Sequence, residues 1–257
     1  MQDKLTPRQS RAWGLCALSV PAAMALAGHG WLWVLAGSAA ASGIVLFLQM
    51  LQRRSGQSLP EQMVRAFGQR GGQIVGAAVC LWLLLAASGA AAASQIAFED
   101  NLGPLAPAVP LLLAALASRK GQAAAARVTG VLALCLALLY SIIALASLRH
   151  VQAAWCRPWG SAADAGLSLC LCLTPACLLF LDGPGQTPRP GWSALAAAVL
   201  PGAAALLCSA CLSPAWTAQL PQPLYTLTKS LSVLSVMQRF ELLLSTAQLL
   251  GLVSLLT

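Results

Sequence analysis

The stretch WLWVLAGSAAASGIVLFLQML, from Trp31 to Leu51, contains no charged side chain. A helix of about 20 mostly apolar residues is long enough to cross the hydrocarbon core of a bilayer. Two arginines, Arg53 and Arg54, follow at once, and such cations are suited to a membrane–water interface. The stretch therefore predicts a membrane-spanning helix, and similar runs recur on both sides of it.

The composition of the whole chain agrees with a membrane location. Of 257 residues, 58% are hydrophobic and 9% are charged, whereas soluble domains carry about 25% charged residues. The formal net charge is +8, but the cations lie in short clusters between apolar runs. Such clusters indicate membrane topology rather than a nucleic-acid-binding face.

The apolar runs predict an all-α fold, a polytopic membrane helical bundle of about eight transmembrane helices that forms one domain over residues 1–257. The first run lacks a small-residue cleavage site, so it predicts a retained span and not a signal peptide. The fourth run is short and contains three prolines, so we expect an irregular start there. The predicted spans are about 12–28, 31–51, 74–97, 104–118, 127–148, 165–181, 192–213 and 231–256.

The positive charges predict the orientation of this bundle. Lys and Arg residues concentrate before span 1 and in the loops after spans 2, 4 and 6, which puts both termini in the cytoplasm. Between spans 2 and 3, SGQSLPEQMVRAFGQRGGQ predicts a short amphipathic helix, and a connector on the membrane surface is favoured over a partner site. Its apolar residues at helical spacing are Leu59, Met63, Val64 and Phe67.

The chain shows no catalytic constellation. Its two histidines, His29 and His150, fall at predicted loop positions, and no Ser/His/Asp grouping or phosphate-binding glycine loop is present. All cysteines except Cys156 lie within apolar runs, where a thiol behaves as a small hydrophobe. We therefore expect no enzyme activity, no metal and no cofactor.

Two predicted spans contain a proline at depth. Span 1 has Ser19, Val20 and Pro21, and span 6 has Thr174 and Pro175. A proline frees backbone groups, which in broken transporter helices often face a small charged ligand. A packing kink shielded by neighbouring helices is an equal alternative. Breaks in the first and sixth spans are typical of a five-plus-five inverted-repeat transporter fold, here truncated.

The last apolar run contains an unusual polar pattern. Gln238, Glu241, Ser245 and Gln248 recur at intervals that place them on one face of a helix. Arg239 lies about 200° from Glu241, so the two charges cannot pair along one straight helix. One alternative has both charges at the membrane–water interface. The continuing polar stripe favours the other alternative, a face that points into the bundle.

Several segments resemble a known family. LTPRQ at the N-terminus, the Trp31–Leu51 run, SGQSLPEQMVRAFGQRGGQIVGAAVCLWLLL and PLYTLTKSLSVLSVMQRFELLL are similar to segments of GerAB-type spore germination proteins. These are the integral-membrane B subunits of nutrient germinant receptors, in the amino acid–polyamine–organocation permease superfamily. Arg239 and Glu241 match the family's Phe-x-x-Arg-x-Glu pattern. The part between 102 and 222 matches in hydropathy only, and the chain resembles a C-terminally shortened member.

The resemblance implies a sensor of a small nutrient such as an amino acid, bound between helices 1, 3, 6 and 8. It also implies partnership with germinant-receptor A and C subunits in the spore inner membrane. An amino-acid transporter (permease) and a degenerate structural subunit are the alternatives. Expected ligand-binding residues are Ser19, Val20, Pro21, Ala22, Ser88, Thr174 and Glu241; expected gating or structural polar residues are Pro175, Gln238, Arg239 and Ser245.

Overall fold

The computed structural model describes residues 22–55, 59–102, 108–119, 122–173, 192–231 and 248. Every regular element among them is helical, which confirms the all-α prediction for this part of the chain. The described residues include two 3₁₀ turns, Leu148–His150 and Ala153–Cys156. The helices are α1 (22–26), α2 (Trp31–Ser55), α3 (Leu59–Leu102), α4 (Ala108–Arg119), α5 (Gln122–Ser147), α6 (Ala162–Leu173), α7 (Trp192–Leu212), α8 (Pro214–Thr217) and α9 (Pro223–Ser230).

Two stretches within the described residues are long and apolar enough to cross a membrane, Trp31–Leu51 and Arg127–His150. They coincide with the second and fifth predicted spans. The other predicted spans remain predictions, and the stretches 12–21, 174–181 and most of 231–256 lie outside the described residues. The described part of the chain is therefore all-helical and contains two candidate membrane helices.

One side of α5 is apolar and exposed. Large side chains on this side are 58% to 67% exposed, and they recur three, four or seven residues apart. Between them lie Leu132, Leu136 and Ile143, which are buried. A helix that meets water has polar residues on its outer side, so this outer surface has the chemistry of a lipid-facing one. The exposed residues are Val128, Val131, Leu134, Leu138 and Leu145.

Helix α2 packs closely on α6 and α7 through small residues. A Cβ added at Gly37 would lie 2.2 Å from the Ala165 carbonyl oxygen, so only glycine permits this approach of α2 to α6. The Ser168 hydroxyl of α6 donates to the Val34 carbonyl at 2.8 Å, and the Ser38 hydroxyl donates to a carbonyl of α7. Small residues and interhelical hydroxyl bonds of this kind hold membrane helices together.

The 44 residues of α3 form two segments. Gly68 has φ 74° and ψ 173°, a conformation that is not helical and that favours glycine. The first segment is the predicted amphipathic helix, and the second contains the third predicted span. Phe67 and Val64 fold back over the start of the second segment, where a Cβ added at Gly71 or Gly72 would lie 2.6 Å from their atoms. The chain thus changes direction sharply at Gly68.

Candidate functional site

A cavity of about 430 Å³ lies between α1, α5, α7 and α9. Cavities of this size accept small molecules. Alanine and leucine side chains form most of its described wall, and the Tyr140 and Ser141 hydroxyls add the polar groups. The described residues that line it are Ala23, Ala133, Leu136, Ala137, Tyr140, Ser141, Ala144, Leu200, Ala203, Ala204, Leu207 and Leu224.

The cavity adjoins the start of the described chain at α1. Ala23 lines it, and the neighbouring Ala22, a predicted ligand-binding residue, is 2% exposed in the same helical turn. The other predicted residues of the span 1 break, Ser19, Val20 and Pro21, lie outside the described residues. Ala22 itself is not among the described residues that line the cavity, and it packs instead in a buried cluster with Val34, Ala41 and Cys172.

The last predicted segment reaches the cavity wall at one described residue. Gln248 is 3% exposed, and its Nε2 donates to the Tyr140 hydroxyl at 3.4 Å. Tyr140 lines the cavity from α5. The Gln248 side chain therefore faces protein and not solvent. The described residues do not include Gln238, Arg239, Glu241 and Ser245.

Ser88 on α3 is not brought to the cavity. Its side chain is exposed, and its hydroxyl donates to the Leu85 carbonyl of its own helix at 2.8 Å. Such a bond satisfies a serine within a membrane helix without a ligand. Its binding role therefore stays a prediction, as do those of Thr174 and Pro175, which lie outside the described residues.

A second polar cluster, which the sequence did not reveal, lies at one end of the bundle. His29 Nδ1 is 2.9 Å from Asp164 Oδ1, and these side chains are 35% and 16% exposed. The other carboxylate oxygen accepts from the backbone N–H of Ser161 at 3.0 Å and of Gly30 at 3.4 Å. Because an ionised carboxylate can only accept, His29 Nδ1 carries the proton in this pair.

Asp164 is electrostatically suited to remain ionised. Burial on its own raises the pKa of this carboxyl group, but hydrogen bonds from Ser161, His29 and Gly30 stabilise the charged form more strongly. The pKa of Asp164 is therefore lowered from its ordinary value. The carboxylate also lies in the first turn of α6, where the helix dipole favours negative charge.

Close contacts join the loop that carries His29 to the loop that precedes α6 and Asp164. A Cβ added at Gly30 would lie 2.1 Å from the Trp159 carbonyl oxygen, and Gly160 has φ 93°. The Trp31 indole N–H donates to the Cys156 carbonyl at 3.2 Å. The eight-span prediction puts the 28–30 hairpin and the loop after α5 on the same side of the membrane, and in the structure they are in contact.

A comparison with protein-family models found none that matches the chain, and a comparison with curated proteins found no match. The family resemblance therefore rests on the segments quoted above. Within the described part of the chain, no group of three or more His, Cys, Asp and Glu residues could hold a metal ion. What the cavity can do chemically is bind a molecule whose buried part is uncharged, since apolar walls do not replace the hydration of a charge.

Proposed function

We propose that this chain is the integral-membrane B-type subunit of a spore germinant receptor, which senses a small nutrient of the amino-acid class. It acts in the spore inner membrane with A and C subunits. The observation that carries the proposal is the contact between Gln248 and Tyr140 beside the cavity. This contact supports a polar face that points into the bundle, the feature that would make the last segment part of a binding site.

The cavity supplies a place for the uncharged part of the ligand. Its wall includes Ala23 of α1, so a molecule in the cavity would lie beside the predicted break in span 1. Free backbone N–H groups near Ser19 to Ala22 would hold the ligand carboxylate. In a continuous helix, Glu241 shares a face with Gln248 and could meet the ammonium group, as could carbonyl groups near Thr174.

Sensing requires only that the ligand binds two conformations with different affinity. A ligand at the junction of α1 and α5 would favour one packing arrangement of these helices, and the partner subunits would respond to it. Net movement of the ligand across the membrane is not needed. This is why the proposal is a receptor subunit and not a pump.

The test is germination of spores that lack the chain, complemented with the wild type or with Ala137→Leu, which fills the cavity. We expect loss of the response to at least one amino acid in the deletion strain, restored by the wild type but not by Ala137→Leu. A matched control is Leu138→Ala, since Leu138 lies on the exposed side of α5. Normal germination of the deletion strain in every nutrient would overturn the proposal. Uptake of labelled amino acid by proteoliposomes that contain this chain alone would make it a transporter instead.

A further inference from the structure

A groove lies where the C-terminal end of α2 meets the first segment of α3. Its volume is about 540 Å³. Apolar side chains form most of its described wall, and one cationic side chain is added from α2. The described residues that line it are Leu48, Leu51 and Arg54 from α2 and Gln62, Met63, Ala66 and Phe67 from α3.

The residues from α2 form an ordered series along the helix. Leu48, Leu51 and Arg54 are three residues apart, so they lie on one side, and each step advances about 4.5 Å along the axis. The candidate membrane stretch ends at Leu51. Arg54 therefore lies about one turn beyond the apolar stretch, at the depth where lipid phosphates meet water.

Cationic side chains outnumber acidic ones around the groove. Arg54, Arg65 and Arg70 are exposed. Glu61 is the acidic residue of the first α3 segment. The excess positive charge at this end of α2 and α3 is complementary to an anion.

We propose that this groove binds an anionic phospholipid, with its phosphate at Arg54 and an acyl chain along Leu48, Leu51 and Phe67. Phe67 is 65% exposed and Val64 is 44% exposed, so the amphipathic segment presents apolar surface. Exposure of this surface to water is unfavourable, and a lipid acyl chain would cover it. A phospholipid matches both the cationic and the apolar part of the groove. Its phosphate lies at the depth of Arg54, and its acyl chain lies at the depth of Leu48 and Leu51. Free phosphate would contact Arg54 and leave the apolar wall empty.

The proposal is tested on the purified full-length protein in detergent by native mass spectrometry. Phosphatidylglycerol and phosphatidylcholine with the same acyl chains are added separately, and bound lipid is counted. We expect the wild type to prefer phosphatidylglycerol, and Arg54→Gln to weaken that lipid about fivefold, equivalent to about 1 kcal/mol. Arg149→Gln removes an exposed cation from the 3₁₀ turn after α5, which does not line the groove, and should leave the preference unchanged.

A second variant tests the apolar wall. Leu51→Asn should weaken both lipids, because it places a polar amide where the acyl chain lies. Inorganic phosphate should not displace phosphatidylglycerol from the wild type. Equal phosphatidylglycerol binding by the wild type and Arg54→Gln would overturn the proposal, and so would displacement of the lipid by inorganic phosphate. Neither result depends on a germination role for the chain.

Discussion

The pair of His29 and Asp164 can be tested by a double-mutant cycle. A hydrogen bond to a charged group contributes about 1.5–3 kcal/mol when it is buried, and an exposed ion pair about 0–1 kcal/mol. His29 is 35% exposed and Asp164 is 16% exposed, so the burial of the pair lies between these two cases. We therefore expect a coupling free energy of about 1 kcal/mol between His29→Ala and Asp164→Asn.

The cycle needs the wild type, both single variants and the double variant. The free energy of unfolding is measured at neutral pH from denaturant titrations of the purified protein in detergent, followed by circular dichroism. Asp164→Asn keeps an oxygen that can accept from Ser161 and Gly30, so it removes the negative charge beside His29 and can retain the backbone contacts. If the loss of unfolding free energy in the double variant equals the sum of the losses in the two single variants, the contact is refuted, because independent residues show no coupling.

The same pair predicts a pH dependence. The folded-state pKa of Asp164 is lowered, so its contribution to stability is fully present above the ordinary carboxyl pKa of about 4. It is lost as pH falls from that value through the lowered folded-state pKa. Unfolding of the wild type should therefore become easier below about pH 4, and Asp164→Asn should lack this part of the acid response. Identical acid profiles would contradict the assigned role of the carboxylate.

Two glycines give further predictions, each with a matched control. Gly37→Ala should destabilise the protein by about 1–3 kcal/mol, because the added Cβ would meet the Ala165 backbone. Gly43→Ala lies in the same helix with open space around it and should not destabilise the protein. Gly68→Ala should cost about 1–3 kcal/mol through backbone strain, whereas Gly76→Ala in helical α3 should be neutral or stabilising. Thermal unfolding of the four variants distinguishes these outcomes, and equal effects within either matched pair would count against the packing described.

The helices were predictable because their signal is local. Trp31–Leu51 coincides with a predicted span, since the length and composition of an apolar run are properties of one segment. The amphipathic segment was predicted as an element separate from the third span, but its predicted stretch, 55–73, continues past Gly68, where the helix breaks. The all-α class follows from the same runs.

The polar contacts were not predictable in the same way. His29 and Asp164 are 135 residues apart, and no spacing rule connects a loop histidine with an acid that distant. The cavity arises where small alanines of several helices meet, which depends on their packing and not on any one pattern. Gln248 is buried, as an inward-facing polar stripe requires at this position. The stripe could be predicted because it follows from helical spacing along one segment.

The inward position of the last segment is the claim on which the proposed site depends. Its most direct test is crosslinking of Tyr140→Cys with Gln248→Cys by a short bifunctional thiol reagent, in membranes and in a variant whose native cysteines are replaced. The control pairs Leu138→Cys, on the exposed side of α5, with Gln248→Cys. We predict efficient crosslinking of the first pair and little of the second. Equal crosslinking of both pairs, or none of the first, would contradict a polar face that points into the bundle.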